Sequence, residues 1–263
     1  MEVVKDYQTL SKLLSAQLRS GVLTNAFFSK ECCQRDIKGG RLSVECRENS
    51  LLLCHQREKY SLVHFYLHSL EDEAVFSSLK TDGPVVMEIA YRPKDVRYHE
   101  VIEFWKRGGF FVQFERGRLQ RKRMEHVENG AFNDVRRATL TDIDEISSIL
   151  EAEYDPILGC LPLRDELLDD IEAGHILCVG EVGTIKGVLQ IGVDRAVEIK
   201  HITVLEPYRQ QGIATRLIQS INQYVPGRRS LVWSQKDNLS AWRVYEKNGY
   251  IADGWSSVVL CKF

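Results

Sequence analysis

The residues best suited to chemistry lie in the second half of the sequence, around the segment EPYRQQGIATRL at 206–217. Arg209, Gly212 and Ala214 of this segment follow an apolar run at 196–205 and precede apolar residues at helical spacing, which predicts a strand, a tight turn and a helix. The first turn of a helix has unpaired backbone N–H groups and a partial positive charge. Small residues let an anion reach these groups, and arginine binds two oxygens, so the turn suits a pyrophosphate.

The same turn has a purely structural interpretation, in which Gly212 and Ala214 only permit close packing of the helix on the sheet. The segment is not a Walker loop, because no Gly-Lys-Ser/Thr follows. It is also not the three-glycine motif of dinucleotide-binding folds. These two classes of nucleotide site are therefore excluded.

A second segment, NLSAWRVYEKNGY at 238–250, follows after one more predicted strand. In this order the two segments resemble the signature of the GNAT superfamily of acyl-CoA-dependent N-acetyltransferases, R/Q-x-x-G-x-G/A and then N-x-x-A-x-x-x-Y-x-x-x-G-F/Y. The resemblance covers about residues 135–263. It implies a splayed sheet that binds acyl-CoA in its cleft, with acetyl-CoA as the donor substrate and no metal ion.

The resemblance also implies which residues bind the donor. The backbone amides of the turn would hold the pyrophosphate, and the strand that ends at Thr203 and Val204 would pair with the pantetheine arm. Asn238 either bonds this arm or only caps its helix, and the two roles are compatible. The donor-binding residues predicted in this way are Thr203, Val204, Arg209, Gln210, Gln211, Gly212, Ile213, Ala214, Thr215 and Asn238.

Acyl transfer from a thioester to an amine needs a base for the amine and a proton for the departing thiolate. Tyr245 matches the tyrosine of the signature and is the candidate acid, although its ring also suits core packing. Glu198 lies eleven residues before Arg209, where some superfamily members carry a glutamate base; alternatively, it is a surface residue of its strand. His201 is either a second candidate base or a paired histidine of the core.

The orientation of these side chains follows from strand geometry. In an ideal strand alternate residues share a face, so Glu198 and Ile202 are expected on one face, and Ile199 and His201 on the other.

Acidic residues lie around the loop EYDPILGC at 153–160. The resemblance places this loop over the acceptor pocket, where Glu151, Glu153 and Asp155 would attract a cationic amine. The other interpretation is a solvated helix end.

Length and composition limit the class of protein. A chain of 263 residues favours two domains, and a formal charge of −2 argues against a dedicated nucleic-acid-binding protein. Neither a leader peptide nor an apolar stretch of about 18 residues is present, so the prediction is a cytoplasmic protein without membrane contact. Seven cysteines without CxxC spacing predict reduced thiols. Histidines at 55, 64, 68 and 99 lack the carboxylate or cysteine spacing of a metal site.

The hydrophobic pattern predicts an α+β fold with a mixed, mostly antiparallel twisted sheet, flanking helices and a central splayed parallel pair. In the second half, Thr141 and Asp142 are expected to cap the first helix. Its predicted elements are helices at 141–150 and 163–173, strands at 175–182, 185–193 and 196–204, a helix after Gln211, a strand at 230–235, a helix after Asn238 and a strand at 254–263.

The first half repeats this order, with a helix at 7–18, strands near 41–47, 50–55, 60–68 and 85–91, and a helix at 71–79. Its segment VIEFWKRGGFFVQF at 101–114 aligns with AWRVYEKNGYIADG at 241–254, which predicts a duplication. The first copy lacks the glycine turn, and Trp105 replaces Tyr245, which suggests an aromatic contact at a domain interface. We therefore expect a degenerate GNAT-like domain at 1–126 and a catalytic GNAT domain at 135–263.

The boundary is expected near 126–134, after a basic run that either contacts phosphates or forms a solvated edge strand. The basic residues of this run are Arg116, Arg118, Arg121, Lys122 and Arg123.

These features predict an N-acetyltransferase that moves an acetyl group from acetyl-CoA to a primary amine of a small molecule or peptide, by direct attack on the thioester. The expected assembly is a monomer or a homodimer. Two alternatives stay open. One is a non-catalytic acyl-CoA sensor that binds a protein partner, and the other is an acyltransferase with a longer donor.

Overall fold

The computed structural model describes residues 1–79, 83–122 and 132–263. They form two compact units, of which the first comprises Met1–Glu115 and Ser256–Phe263 and the second comprises Arg116–Trp255. A single cut near 126–134 falls largely outside the described residues. The observed division differs from such a cut because two long strands each contribute residues to both units.

The first unit contains most of the N-terminal elements. Its helices are α1 (Tyr7–Gln17), α2 (Lys30–Lys38), α3 (Val75–Ser78) and α4 (Val96–Arg107). The strands up to the division are β1 (Glu2–Val3), β2 (Leu23–Thr24), β3 (Leu42–Cys46), β4 (Ser50–Gln56), β5 (Ser61–Leu67), β6 (Val85–Tyr91) and β7 (Phe111–Arg121), the last of which crosses into the second unit.

The second unit contains the segments that resemble the acyltransferase signature. Its helices are α5 (Ile143–Glu153), α6 (Arg164–Glu172), α7 (Ile213–Tyr224) and α8 (Leu239–Lys247), with short 3₁₀ helices at Leu140–Asp142 and Glu206–Tyr208. Its strands are β8 (Val135–Arg137), β9 (Ile176–Val179), β10 (Gly187–Val193), β11 (Val197–Val204), β12 (Ser230–Gln235) and β13 (Ile251–Lys262), whose last residues belong to the first unit.

Each unit is an α+β fold built on a mixed sheet. In the first, the strand order is β1-β3-β4-β5-β6, β2 pairs with β5, and β5 and β6 are parallel over 61–62 and 85–86. In the second, the order is β7-β12-β11-β10-β9-β8, with β11 and β12 parallel. The other strand pairs with a described register are antiparallel, so each unit has one short parallel pair that separates further along the strands.

The two long strands, β7 and β13, each begin in one unit and end in the sheet of the other. β7 follows α4 of the first unit, yet its residues 116–121 pair with β12 of the second. β13 follows α8 of the second unit, yet its residues 256–262 pair with β6 of the first. Each sheet is therefore completed by a strand that enters from the other unit.

In the second unit, helices pack on both faces of the sheet. Leu217 and Ile221 of α7 pack with Leu189 of β10 in one core cluster, while Leu150 of α5 packs with Val188 in another. Val188 and Leu189, which are adjacent in β10, thus pack on opposite faces of the sheet, as strand alternation requires.

Most predicted elements occur where expected, and β6 and β12 have the predicted bounds. The helix predicted at 71–79 is corrected, because α3 has only four residues, and α2, β1, β2 and β8 were not predicted from the sequence. Asp142 is the N-cap residue of α5, as predicted, whereas the 3₁₀ helix before it is capped by Thr139 rather than Thr141, and Thr139 and Asp142 form a capping box. Trp105 is fully buried against Phe65, Phe104 and Phe110 of its own unit, so its ring serves that core.

Candidate active site

The candidate site begins where β11 and β12 separate. The strands pair over Val197–Ile199 and Ser230–Val232, and β11 continues to Val204. Because peptide groups alternate in direction along a strand, Ile202 and Val204 turn their N–H and C=O groups to the edge that faces away from β10. The backbone of Thr203 is directed to β10, so Val204 rather than Thr203 offers its peptide groups at this edge.

A β-bulge in β11 changes the predicted orientation of its side chains. Gln190 of β10 opposes His201, while Ile191 opposes Ile199, so that Lys200 is an extra residue. Ile199 and Ile202 consequently pack in the same core cluster. Strict alternation placed them on opposite faces, and that prediction is wrong. The bulge puts Glu198 on the same face as His201.

The turn between β11 and α7 is shaped by left-handed backbone. Gln210 has φ 62° and Gly212 has φ 76°, and the Arg209–Gly212 segment is exposed. Alternation of left-handed and right-handed residues directs successive N–H groups to one side and forms an anion-binding concavity. α7 has no side-chain cap, and no acceptor within the described ranges pairs with the amides of residues 210–215. The turn can therefore hold an anion with its backbone.

Arg209 joins this turn to the end of β11. Its Nε donates to the carbonyl oxygen of Val204 at 2.9 Å, and its Nη2 donates to Oε2 of Glu153 at 2.8 Å. The Thr203 hydroxyl donates to the same Glu153 oxygen at 3.3 Å. Four of the predicted or considered residues are thus brought together, and the Glu153 carboxylate pairs with the Arg209 guanidinium.

Tyr154 lies at the separating strands and was not predicted. Its hydroxyl donates to the Ile202 carbonyl oxygen at 2.8 Å and accepts from the Ile202 N–H at 3.0 Å. Burial raises the pKa of Tyr154 to about 12, so the phenol stays neutral and can do both near neutral pH. The position of this tyrosine after α5 carries no sequence signal for a contact with a residue 48 positions away.

His201 is a paired core histidine. Its Nδ1 lies 2.7 Å from Gln190 Oε1, and its Nε2 lies 2.9 Å from the Gly159 carbonyl oxygen. Gln190 in turn donates to Asp170 at 2.7 Å. Burial lowers the pKa of His201. Both ring nitrogens are occupied, which agrees with the core interpretation.

The candidate acid lies on α8 and the candidate base lies on β11. Tyr245 of α8 is buried, with its ring 5.7 Å from that of Tyr250, and no hydrogen bond from the described part of the chain reaches its hydroxyl. Burial, with smaller effects of Tyr154 and Tyr250, raises the pKa of Tyr245 and keeps its proton available. Glu198 is half-buried on β11, opposite Leu231 of β12 where these strands still pair.

Asn238 caps α8 as one of its two predicted roles requires. Its Oδ1 accepts from Ala241 N at 3.1 Å and from the Ser240 hydroxyl at 2.8 Å. Its Nδ2 has no partner within the residues described here and is available to a ligand carbonyl.

The remaining acidic residues of this region are engaged by their own chain. Asp155 accepts from the amides of Ile157 and Leu158 at 2.9 and 2.7 Å, and Glu151 accepts from Ser147 at 2.9 Å.

The corresponding cleft of the first unit is filled by its own chain. Asn25 Oδ1 accepts from Phe65 N at 2.7 Å, and Asn25 Nδ2 donates to the carbonyl oxygens of Val63 and Glu88 at 3.1 Å each. One side chain thus bridges β5 and β6 beyond their parallel pairing.

The basic run of β7 does not form a free phosphate-binding edge. Arg118 forms an ion pair with Asp253 at 2.7 Å, and the buried Arg121 donates to the Ile218 carbonyl at 3.3 Å. Arg123 lies outside the described residues. Within the described segments, no helix is long and apolar enough to span a membrane.

One group in the first unit has side chains of the types that bind metals, at positions whose spacing did not indicate a site. Ligand atoms of Cys32, Asp36 and His55 lie within 4.8 Å of one another. Asp36 is already bonded to His55 at 2.7 Å and to Arg41 at 3.2 Å, and these partners oppose an added cation.

Comparison with known proteins supports the resemblance. The acetyltransferase (GNAT) family model matches residues 143–250. No curated protein matches the sequence. Among solved structures, a GCN5-related N-acetyltransferase from Sphaerobacter thermophilus is 13% identical, with a TM-score of 0.58 and coverage of 93% of this chain and 96% of that chain.

Two other structures are similar to the same extent. A GCN5-related N-acetyltransferase from Kribbella flavida is 14% identical, with a TM-score of 0.55 and coverage of 84% and 89%. A tandem GNAT protein from the clavulanic acid biosynthesis pathway is 10% identical, with a TM-score of 0.52 and coverage of 81% and 78%. At these identities the structures establish the fold. The match to the acetyltransferase (GNAT) family model is confined to residues 143–250 of the second unit, and members of that family generally use acyl-CoA as donor.

Proposed function

We propose that this protein is an N-acetyltransferase that transfers an acetyl group from acetyl-CoA to a primary amine of a small molecule or peptide. The second unit carries the reaction, and the first is a degenerate copy of the same fold in a tandem arrangement. The protein acts in the cytoplasm as a monomer or homodimer and requires no metal.

The turn from Arg209 to Thr215 carries this proposal. It combines left-handed residues at Gln210 and Gly212 with an uncapped α7, so several amides converge on an exposed position. A pyrophosphate matches this arrangement, because its oxygens accept several N–H bonds and its charge favours the start of a helix. The adjoining edge of β11 offers peptide groups of Ile202 and Val204 to the amides of a pantetheine arm.

The reaction we propose is direct attack of the amine nitrogen on the thioester carbonyl. The new C–N bond forms as the C–S bond breaks, Glu198 takes the proton of the amine, and Tyr245 gives a proton to the departing thiolate. Tyr245 is supported as the donor by its match to the tyrosine of the signature, and burial, which raises its pKa, keeps the phenol protonated near neutral pH. Glu198 is supported by its position on β11, one residue before the last residue that pairs with β12.

The first unit is proposed to be unable to bind the donor. Asn25 occupies the peptide groups of β5 and β6 in its cleft, and the fully buried Trp105 stands at the position of Tyr245.

The test is turnover by the full chain with acetyl-CoA and a panel of primary amines, monitored by release of the free CoA thiol. Release that depends on one class of amine supports the proposal and identifies the acceptor. Tight CoA binding without release for any amine would favour the acyl-CoA sensor, and release only from longer acyl-CoA donors would favour the other alternative.

A further inference from the structure

Two consecutive residues at the end of α5 occupy the groups that a donor would need. Glu153 binds the guanidinium of Arg209 at 2.8 Å, and Tyr154 binds both peptide groups of Ile202 at 2.8 and 3.0 Å. Arg209 Nε also binds the Val204 carbonyl oxygen at 2.9 Å. A carboxylate thus pairs with the cation of the anion-binding turn, and a hydroxyl pairs with the open edge of β11.

The first unit has the same kind of contact at the corresponding backbone group. Ser61 and Val197 both begin a parallel pair, and with the one-residue bulge in β11, Phe65 corresponds to Ile202. The Phe65 N–H is bonded by Asn25, which lies between the first two helices of its unit, as Tyr154 lies between α5 and α6. In both units a side chain from this connection therefore takes the place of a ligand on the strand.

The contacts in the two units differ in burial and in the number of backbone groups that they bond. Asn25 is buried and bonds three backbone groups on two strands. Tyr154 bonds one residue on one strand, and Glu153 pairs with an arginine side chain that is 51% exposed. Partly exposed ion pairs are weak, so the Glu153–Arg209 pair is displaceable at small cost.

The chain after Tyr154 forms a small folded loop that is connected to the same strand. Asp155 bonds the amides of Ile157 and Leu158, the Gly159 amide donates to the Asp155 carbonyl at 2.8 Å, and the Gly159 carbonyl lies 2.9 Å from His201. A shift of Tyr154 is therefore transmitted to residues 155–159 as a unit.

We propose that Glu153 and Tyr154 form an internal competitor of the acyl donor. Donor pyrophosphate draws Arg209 away from Glu153, and the pantetheine arm takes the Ile202 peptide groups from the Tyr154 hydroxyl. Donor binding thereby releases the end of α5 and the loop 155–159. The inference rests on the proposed donor site and adds a regulated step to it.

For Glu153, the proposal predicts that ligands with a pyrophosphate bind more tightly when the competing carboxylate charge is removed. Calorimetric titration of E153Q with CoA and with ADP is expected to give affinities about threefold to fivefold above the unchanged chain, in line with the strength of partly exposed ion pairs. Affinity for pantetheine, which has no pyrophosphate, stays the same. The matched control is E73Q, which removes an exposed glutamate–arginine pair with Arg107 in the first unit and leaves all three affinities unchanged.

For Tyr154, the proposal predicts an effect on ligands that contain the pantetheine arm and none on ADP. Y154F leaves the Ile202 peptide groups without their partner, so CoA and pantetheine are expected to bind about fivefold to tenfold more tightly, while ADP does not. The control Y224F removes a tyrosine hydrogen bond to the Val135 carbonyl at the other end of α7 and affects none of the three ligands. Thermal unfolding of each variant verifies that it is folded.

Hydrogen exchange on the unchanged chain gives a second measurement that needs no variant. On addition of CoA, amides of residues 154–159 are expected to exchange faster while those of 210–215 are protected. Unchanged affinities in folded E153Q and Y154F, weaker CoA binding by Y154F, or protection of 154–159 by CoA would each overturn the competitor and leave the donor site intact. Failure of the unchanged chain to bind CoA at all would instead overturn the proposed donor site.

Discussion

The side chain of Asn25 accepts a hydrogen bond from the backbone N–H of Phe65 at 2.7 Å and so occupies the edge of β5 where it leaves β6. In the second unit, the corresponding N–H of Ile202 donates to the Tyr154 hydroxyl, which also donates to the Ile202 carbonyl oxygen. The two units therefore differ in the number of hydrogen bonds by which a side chain occupies the strand edge beside the parallel pair.

This difference predicts one acyl-CoA site per chain. Calorimetric titration of the full chain with CoA should give a stoichiometry near one, because the first cleft is closed by three hydrogen bonds of Asn25. Two equivalent sites would contradict the assignment of the first unit as degenerate.

Gly212→Val is expected to abolish CoA binding without unfolding the chain. The valine would strain a residue with φ 76° and place its side chain at the exposed approach to the α7 amides. Gly183→Val is the control, because Gly183 has a similar φ of 80° and open space around it in a hairpin. Equal CoA affinity in the two variants would remove the glycine turn from the donor site.

Tyr245→Phe is expected to lower kcat with acetyl-CoA and an accepted amine by a factor of about ten to a hundred, with little change in donor affinity. The change removes only a proton donor that acts as charge develops on sulfur. Tyr250→Phe, which removes a hydroxyl bonded to Ser230 at 2.7 Å, serves as the control for the neighbouring ring. A loss confined to donor affinity would argue against the acid role.

Glu198→Gln is expected to lower the rate most at low pH. There the amine is largely protonated and depends on the base, whereas at high pH it is already neutral. The rate ratio of the variant to the unchanged chain should therefore rise with pH. A constant ratio across the range would remove Glu198 from the role of base.

Asp142→Asn is expected to destabilise the second unit by about 1 to 2 kcal/mol at pH 7, as measured by urea unfolding. Hydrogen bonds from Arg136 at 2.7 and 2.8 Å and from Thr139 outweigh burial and lower the pKa of Asp142 to about 2 from its ordinary 3.8.

Because the folded pKa is the lower one, the stabilisation is complete above about pH 4 and is lost as the pH falls toward 2. The difference between variant and unchanged chain should shrink over that range. Asp144→Asn, which removes an exposed pair with Arg164, should change stability by less than about 0.5 kcal/mol. Equal effects of the two substitutions would contradict the special role of Asp142.

The sequence by itself determined the order of elements around the candidate site. Gly212 has the positive φ that the turn before α7 requires, and Asn238 caps α8, because these features depend on a few neighbouring residues. The spacing of apolar residues likewise predicts α7, and β12 has its predicted bounds. Local chemistry was sufficient for all of these.

The tertiary structure decided what long-range pairing controls. The bulge at Lys200 depends on the register of β10 against β11, and it reverses the predicted relation of Glu198 to His201. The contact of Tyr154 with Ile202 joins residues 48 positions apart, and β7 and β13 pair with strands that are far from them along the chain. The periodicity of apolar residues indicates which face of a strand is apolar, but it does not indicate which residue of a neighbouring strand lies opposite a given residue. The register, the bulge and these contacts are therefore set only when the sheets form.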